Sequence, residues 1–192
     1  LACEGGKKVE LLVEGGAIEI DRRGLEEMKD PLIHLVRNCL DHGIERPGER
    51  EAKGKPAGGT VRISVTSRDG KIEIAVADDG RGIDMAQIKA AAVQQDLVTA
   101  EVATGLGEQE SLALLFCSGI TTSPIITDLS GRGLGLPIVR EKVEKLSGTV
   151  TVETVVGAGT TIRMALSLTL TTFRGTLVRV NARVFFLPSS RV

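Results

Sequence analysis

The chain has 192 residues, 24 Lys and Arg against 25 Asp and Glu, and a formal net charge of -1; it is 42% hydrophobic yet contains four Phe and neither Trp nor Tyr. A core of this length must be aliphatic, and the missing rings exclude aromatic cages for quaternary ammonium ligands and base-stacking platforms for single-stranded nucleic acid. The balanced charge carries no footprint for nucleic acid or an anionic membrane, and no apolar run approaches the roughly 18 residues of a bilayer span, so neither nucleic-acid binding nor membrane insertion is expected.

In chain order, Leu1-Ala2-Cys3-Glu4 has no basic or apolar leader region, and the lack of an initiator Met reads as a piece of a longer polypeptide. Cys3, Cys39 and Cys117 are scattered without a CxxC, which favours a reduced, cytoplasmic setting with neither a disulfide framework nor zinc. Val9, Leu11 and Val13 alternate with polar residues, Gly15-Gly16 turns, and Ile18 and Ile20 alternate again, predicting a hairpin. Asp21 caps a helix over 22–29. Asp30-Pro31 reads as an N-cap and first position of a second helix that runs to His42 and ends at Gly43. Residues 43–59, charged and rich in Gly and Pro, read as an exposed excursion.

Val61, Ile63 and Val65, then Asp69-Gly70, then Ile72, Ile74 and Val76 predict a second hairpin. Asp84 caps a helix to about Gln95, and a weaker helix covers 109–116. Residues 117–135 lack periodicity. A helix over 136–146 is closed by Ser147-Gly148, and strands 149–155 and 160–168 flank Gly157-Ala158-Gly159. The strands are apolar on one face only, which predicts a largely antiparallel sheet covered by helices on one side. From about Thr169 the texture turns to Thr, Val and Phe, and residues 171–192 read as the opening strands of a second, β-rich domain.

Three constellations could carry chemistry. On the helix ending at His42, His34, Asn38, Asp41 and His42 share one arc with Arg37 at its edge. No Cys or carboxylate falls at ligand spacing to complete a zinc site, whereas an Asn carbonyl suits Mg²⁺ that keeps its waters and holds phosphates. The second is Asp78-Asp79-Gly80-Arg81-Gly82. Asp78 continues the Ile72, Ile74, Val76 series, so its carboxylate points to the apolar side and needs a donor such as a purine amino group. Asp79 faces the other way and reads as a turn residue. The third is Ser130-Gly131-Arg132-Gly133-Leu134-Gly135 before a helix, where backbone N–H groups can approach phosphate oxygens. A Rossmann fingerprint fails because residue 136 is Leu. The P-loop lookalike from Gly48 to Lys55 has one residue too many and ends in Pro56.

Taken in order, these elements resemble the GHKL nucleotide-binding superfamily. His34-Leu-Val-Arg-Asn38 is similar to its N box, Asp78-Asp-Gly80-Arg-Gly82 to its G1 box, Leu115-Phe116 to its F box and Gly131-Arg-Gly133-Leu-Gly135 to its G2 box; Gly157-Ala-Gly159-Thr160 resembles its last glycine motif. Residues 30–45 and 130–136 resemble the CheA-type chemotaxis histidine kinases in particular. The resemblance covers residues 1–170, and the tail is similar to the start of their CheW-like regulatory domain.

The resemblance implies an α/β two-layer sandwich of the Bergerat type: a mixed, mostly antiparallel sheet with helices on one face and a short β-rich C-terminal extension. It further implies ATP as substrate with Mg²⁺ held by Asn38, adenine read by Asp78, and Gly80 and Gly82 close to the base. Ser130, Gly131, Arg132, Gly133, Leu134 and Gly135 surround the phosphates beneath a lid over 117–130, and Thr160 assists at the adenine side. His34 and His42 face the triphosphate. Arg81 is a stacking cover for a base that meets no aromatic ring.

Partners implied are a phosphotransfer domain carrying the acceptor histidine, the coupling protein CheW and the receptor array, and a downstream response regulator. Homodimerisation is expected only through a dimerisation domain absent from these residues. Related ATPases carry Glu at the first N-box position to activate water; His34 stands there, which favours a kinase over a hydrolase, and because the resemblance puts the acceptor histidine on a separate domain the chain is not expected to label itself. A GHKL ATPase or a regulatory nucleotide-binding module is the alternative, the latter because Leu136-Pro137 departs from the usual Met-Asp.

Overall fold

A computed structural model describes residues 6–16, 18, 22–68, 70–117, 135–167, 175–180 and 183–188. Strands β1 (Val9–Glu14), β2 (Gly59–Arg68), β3 (Lys71–Asp78), β4 (Thr149–Val155) and β5 (Gly159–Ser167) form one sheet in the order β1-β2-β3-β5-β4. β1 runs parallel to β2 and every other pair is antiparallel. The sheet is therefore mixed and mostly antiparallel, as the one-sided strand pattern indicates.

One face carries Val61, Ile72, Ile74, Val76, Val152, Ile162, Met164 and Leu166, all buried. They pack in one cluster with Met28 and Leu35 of α1 (Arg22–Asn38), Ile88 of α3 (Met85–Gln94), Leu112 of α5 (Glu108–Leu114), and Val139 and Val143 of α6 (Gly135–Lys145). The other face is polar. There Arg163 bridges Glu73 and Glu153, both at 3.3 Å, across three strands. A five-stranded sheet that is apolar on one face is covered by a single helical layer.

Three expectations change. β1 pairs in parallel with β2, while residues 17 and 19–21 of its expected hairpin arm lie outside the described residues. The two helices expected on either side of Asp30-Pro31 are one, α1, with Pro31 inside it. The reason is visible in the stripe Met28, Pro31, Leu35 and Cys39, spaced three, four and four residues apart and buried throughout. Burial on both sides of the proline offsets the roughly 3 kcal/mol that its missing N–H and ring clash cost.

The same helix ends in a turn of π-helix, Cys39–Gly43, in which the Ile44 N–H reaches the Cys39 carbonyl at 2.8 Å. Residues 43–59 are no exposed excursion: they hold α2 (Pro47–Ala52) and bury Ile44, Glu45 and Arg50 to within 1% of full burial. A short helix the pattern did not reveal, α4 (Ala100–Gly105), is capped by Thr99, whose hydroxyl accepts from the Val102 N–H. Beyond the sheet, β6 (Gly175–Val180) and β7 (Arg183–Pro188) form a separate antiparallel pair. No helix among the described residues is long and apolar enough to cross a membrane.

Candidate nucleotide site

The end of α1 and the loop after β3 meet at Asp78. Register places Asp78 opposite Val61 on one side and Thr160 on the other, so its side chain stands on the helix-facing side of the sheet. The carboxylate accepts from the Gly80 N–H at 2.9 Å, and the nearby Thr160 N–H and Cys39 thiol also favour its charged form. Burial nevertheless wins, holding the Asp78 carboxyl above the ordinary range despite these donors; the Asp79 charge adds to the effect. The Cys39 thiol is pushed up in turn, by burial and by the Asp78 charge, and stays protonated as a donor.

Close backbone approaches seal this corner. A Cβ on Gly43 would sit 3.0 Å from the Asp78 carboxylate. One on Gly80 would collide with the Gly43 carbonyl, and one on Gly159 (φ +128°) with the Asp78 carbonyl. The Gly43 carbonyl accepts from the Arg81 N–H at 2.9 Å, and the Arg81 carbonyl from the Gly157 N–H at 2.7 Å. The Thr154 hydroxyl accepts from the Ile83 N–H at 2.9 Å and lies 3.0 Å from the Thr160 hydroxyl, tying the loop to β4 and β5. The structure thus brings Asp78, Gly80, Arg81 and Thr160 together, and Gly82 (φ +70°) backs onto the Val155 carbonyl. Arg81 itself is half-exposed and turns toward Glu49 at 3.7 Å.

One helical turn apart on α1, the Asn38 Nδ2 lies 3.0 Å from the His34 Nε2. An amide NH₂ only donates, so this ring nitrogen accepts. Among the described residues the Asn38 amide oxygen accepts no hydrogen bond, which leaves a hard oxygen for a cation. Both histidines are half-buried. Burial first, then Arg37 and His42, hold the His34 imidazole below its usual value; burial holds His42 down as well, opposed by Asp41 and aided by Lys7 and Arg81. A Cβ on Gly135, at the start of α6, would fall on the His34 ring. The last glycine of the third motif therefore packs on the first residue of the first. Ser130, Gly131, Arg132, Gly133, Leu134 and the expected lid lie outside the described residues.

Sequence reasoning missed the residues behind the loop. Asp79 is no mere turn residue: it pairs with Arg50 at 2.9 Å and accepts from the Thr60 N–H at 2.8 Å. Arg50 also reaches Glu45 at 3.3 Å, and Lys55, from the failed P-loop lookalike, reaches Glu45 at 3.2 Å and the Gly80 carbonyl at 2.6 Å. Lys7 caps the π turn, its ammonium on the carbonyls of Leu40 at 2.5 Å and Asp41 at 3.0 Å. The available signal was parity, since an Asp on the polar side of a strand end beside a Lys- and Arg-rich segment calls for a cation. Among the described residues, no group of three or more His, Cys, Asp or Glu is placed to hold a metal ion.

Residues 27–170 match the family of histidine kinase-, DNA gyrase B- and HSP90-like ATPases. Over all 192 residues the chain is 37% identical to the sensor histidine kinase CheAY of Helicobacter pylori, covering 24% of that protein. Over the same span it is 41% identical to the chemotaxis protein CheA of Salmonella typhimurium, covering 28% of it. The chain thus spans about a quarter of the length of these relatives. The fold is similar to that of full-length ShkA, solved in complex with AMPPNP, with a TM-score of 0.54 at 16% identity over 97% of this chain and 27% of that one. The mixed sheet, its single helical layer and the family match over residues 27–170 lead to one assignment: the chain belongs to the histidine kinase-, DNA gyrase B- and HSP90-like ATPase family.

Proposed function

We propose that residues 1–170 are the ATP-binding catalytic domain of a CheA-type protein-histidine kinase, and that 171–192 open a CheW-like regulatory domain. The observation that carries this is the Asp78 carboxylate, one oxygen held by the Gly80 N–H in a corner lined by the close approaches of Gly43, Gly80 and Gly159, with the His34–Asn38 pair on the same helix end. The adenine amino group is the donor that Asp78 lacks. Asn38 would hold Mg²⁺ through its amide oxygen, a hard ligand of the kind that ion takes. The site fits such an ion, because the amide nitrogen is already committed to His34. Mg²⁺ neutralises charge on the triphosphate when bound.

His34 then acts as a positioning group. By accepting from Asn38 on Nε2 it fixes which way the amide oxygen faces, and its lowered proton affinity keeps it neutral at pH 7. The acceptor imidazole of a separate phosphotransfer domain attacks the γ-phosphorus; the bond from that phosphorus to the β,γ-bridging oxygen breaks, and ADP leaves with the electron pair. The acceptor's N–H proton passes to solvent. Imidazole is nucleophilic enough to need no strong base, so the protein contributes positioning and charge neutralisation. A water-activating carboxylate is missing at residue 34, which disfavours the ATPase reading. Pro137 lies in the first turn of α6, where a backbone N–H would have no helical partner, so its lack of one costs the helix nothing, and this weakens the reading of an inactive module.

The wider partners follow the family: a phosphotransfer domain, CheW and the chemoreceptor array through 171–192, a response regulator, and dimerisation through a separate domain, all in the cytoplasm. Single-turnover transfer from γ-labelled ATP tests this reading. The chain alone should stay unlabelled and should label an added phosphotransfer domain. Asn38→Asp should abolish transfer. Label retained on the chain, or transfer unaffected by Asn38→Asp, contradicts the assignment.

A further inference from the structure

The peptide unit joining Asp79 to Gly80 is loaded from both ends. Its N–H, on Gly80, donates to the Asp78 Oδ1 at 2.9 Å. Its carbonyl, on Asp79, points the opposite way, as a trans peptide requires, and accepts from the Arg50 Nη1 at 3.1 Å and the Lys55 Nζ at 3.0 Å. Lys55 also donates to the next carbonyl, that of Gly80, at 2.6 Å. Arg50 is 1% exposed and Lys55 16%, and Glu45, also 1% exposed, holds both from behind at 3.3 and 3.2 Å. Two nearly dry cations therefore grip the peptide whose opposite end orients the Asp78 carboxylate. Cations on a carbonyl polarise the peptide and strengthen its N–H as a donor, and the effect is largest where water is excluded.

We propose that Lys55 and Arg50 are positioning residues for base selection: through the Asp79–Gly80 peptide they fix one Asp78 oxygen and so aim the other at the base. Neither touches the nucleotide. The inference rests on the nucleotide reading above and adds the source of its adenine selectivity. Loosening the grip lets the carboxylate rotate, which weakens recognition of the exocyclic amino group and leaves phosphate binding alone.

The test compares Mg-ADP with Mg-IDP, whose base carries a carbonyl where adenine carries the amino group, by calorimetric titration of the full 192-residue chain. The unsubstituted chain should prefer ADP by about tenfold or more, the worth of one charge-assisted hydrogen bond. Lys55→Met should weaken ADP about fivefold or more and leave IDP within twofold, so that the ratio collapses. Lys55→Arg, which keeps a cation and its donors, should restore most of it. Arg50→Lys, which keeps charge but loses the fork, is the second variant and should also lower the ratio. Thermal unfolding identifies the folded variants. In those, an unchanged ratio, or a parallel loss for both nucleotides, overturns the proposal. An unsubstituted chain that binds neither nucleotide overturns the functional reading itself, a result distinct from an unmoved ratio.

Discussion

Replacing Arg50 by Met removes one buried cation and keeps most of the apolar stem of the side chain. Arg50 makes four hydrogen bonds: Nε to the Pro56 carbonyl at 2.8 Å, Nη1 to Glu45 at 3.3 Å and to the Asp79 carbonyl at 3.1 Å, and Nη2 to the Asp79 carboxylate at 2.9 Å. Removing one partner of a buried ion pair costs about 3–5 kcal/mol, because the other charge is left without compensation. Here the loss falls at the low end. Glu45 keeps Lys55 at 3.2 Å and Lys53 at 3.3 Å, while Asp79 keeps the Thr60 N–H and, at 42% exposure, gains water. About 3 kcal/mol, at about 2–4 °C per kcal/mol for a chain of this size, lowers the melting temperature by about 6–12 °C. Urea unfolding at pH 7 and calorimetry read both numbers. A loss under about 1 kcal/mol, the range of exposed pairs, refutes the claim that this network is an internal support. Acid gives a cross-check. Burial disfavours the Glu45 carboxylate, but its hydrogen bonds to backbone, Lys55 and Lys53 outweigh this and hold its carboxyl below the usual range. Its stabilising contribution is therefore present above about pH 4.3 and lost as pH falls through the folded value, so the Arg50→Met penalty shrinks in acid.

Asp78→Asn keeps an acceptor for the Gly80 N–H but turns the free arm toward adenine into a donor; ADP should bind about 10- to 150-fold more weakly, by calorimetry, and a change within twofold removes Asp78 from base recognition. Because burial holds the Asp78 carboxyl above its usual range, ADP affinity of the unsubstituted chain should begin to fall on acidification at a higher pH than an ordinary aspartate would cause. His34 and His42 are both held below the ordinary imidazole value, chiefly by burial. The unfolded chain then binds more protons below about pH 6.5, so unfolding free energy should climb with pH up to that point and level off above it; a flat profile contradicts the burial argument. Gly135→Ala places a methyl on the His34 ring, costing about 1–3 kcal/mol and displacing the imidazole from Asn38; the ring ¹⁵N shifts of His34 should move while those of His42 stay.

Much of this site was legible in the sequence because its decisive features are local. The parity of Ile72, Ile74, Val76 and Asp78 placed a carboxylate on the apolar side, and register confirms that placement, with Val61 and Thr160 as neighbours. Helical spacing put His34 and Asn38 one turn apart, and they are in contact. What stayed hidden is non-local. Nothing in Asp30-Pro31 says whether a helix starts or continues; the buried stripe on both sides decides it, and that stripe was present in the sequence as Met28, Leu35 and Cys39. The π turn at Cys39–Gly43 depends on Lys7, more than thirty residues earlier, and on the loop beneath Gly43. The partners of Arg50 include Asp79, 29 residues away, so a segment rich in charge and glycine read as solvent-exposed when it is folded against the back of the site.

The central claim is that Asp78 and Asn38 face the two ends of one bound nucleotide. A crystal structure of the chain with Mg²⁺ and AMPPNP tests it most directly. The account places the adenine amino nitrogen within about 3.2 Å of the Asp78 carboxylate and the metal on the Asn38 amide oxygen. A nucleotide lodged elsewhere contradicts it, for instance in the cleft of about 310 Å³ between Leu112, Phe116, Arg140 and Val152, which shares no residue with this site.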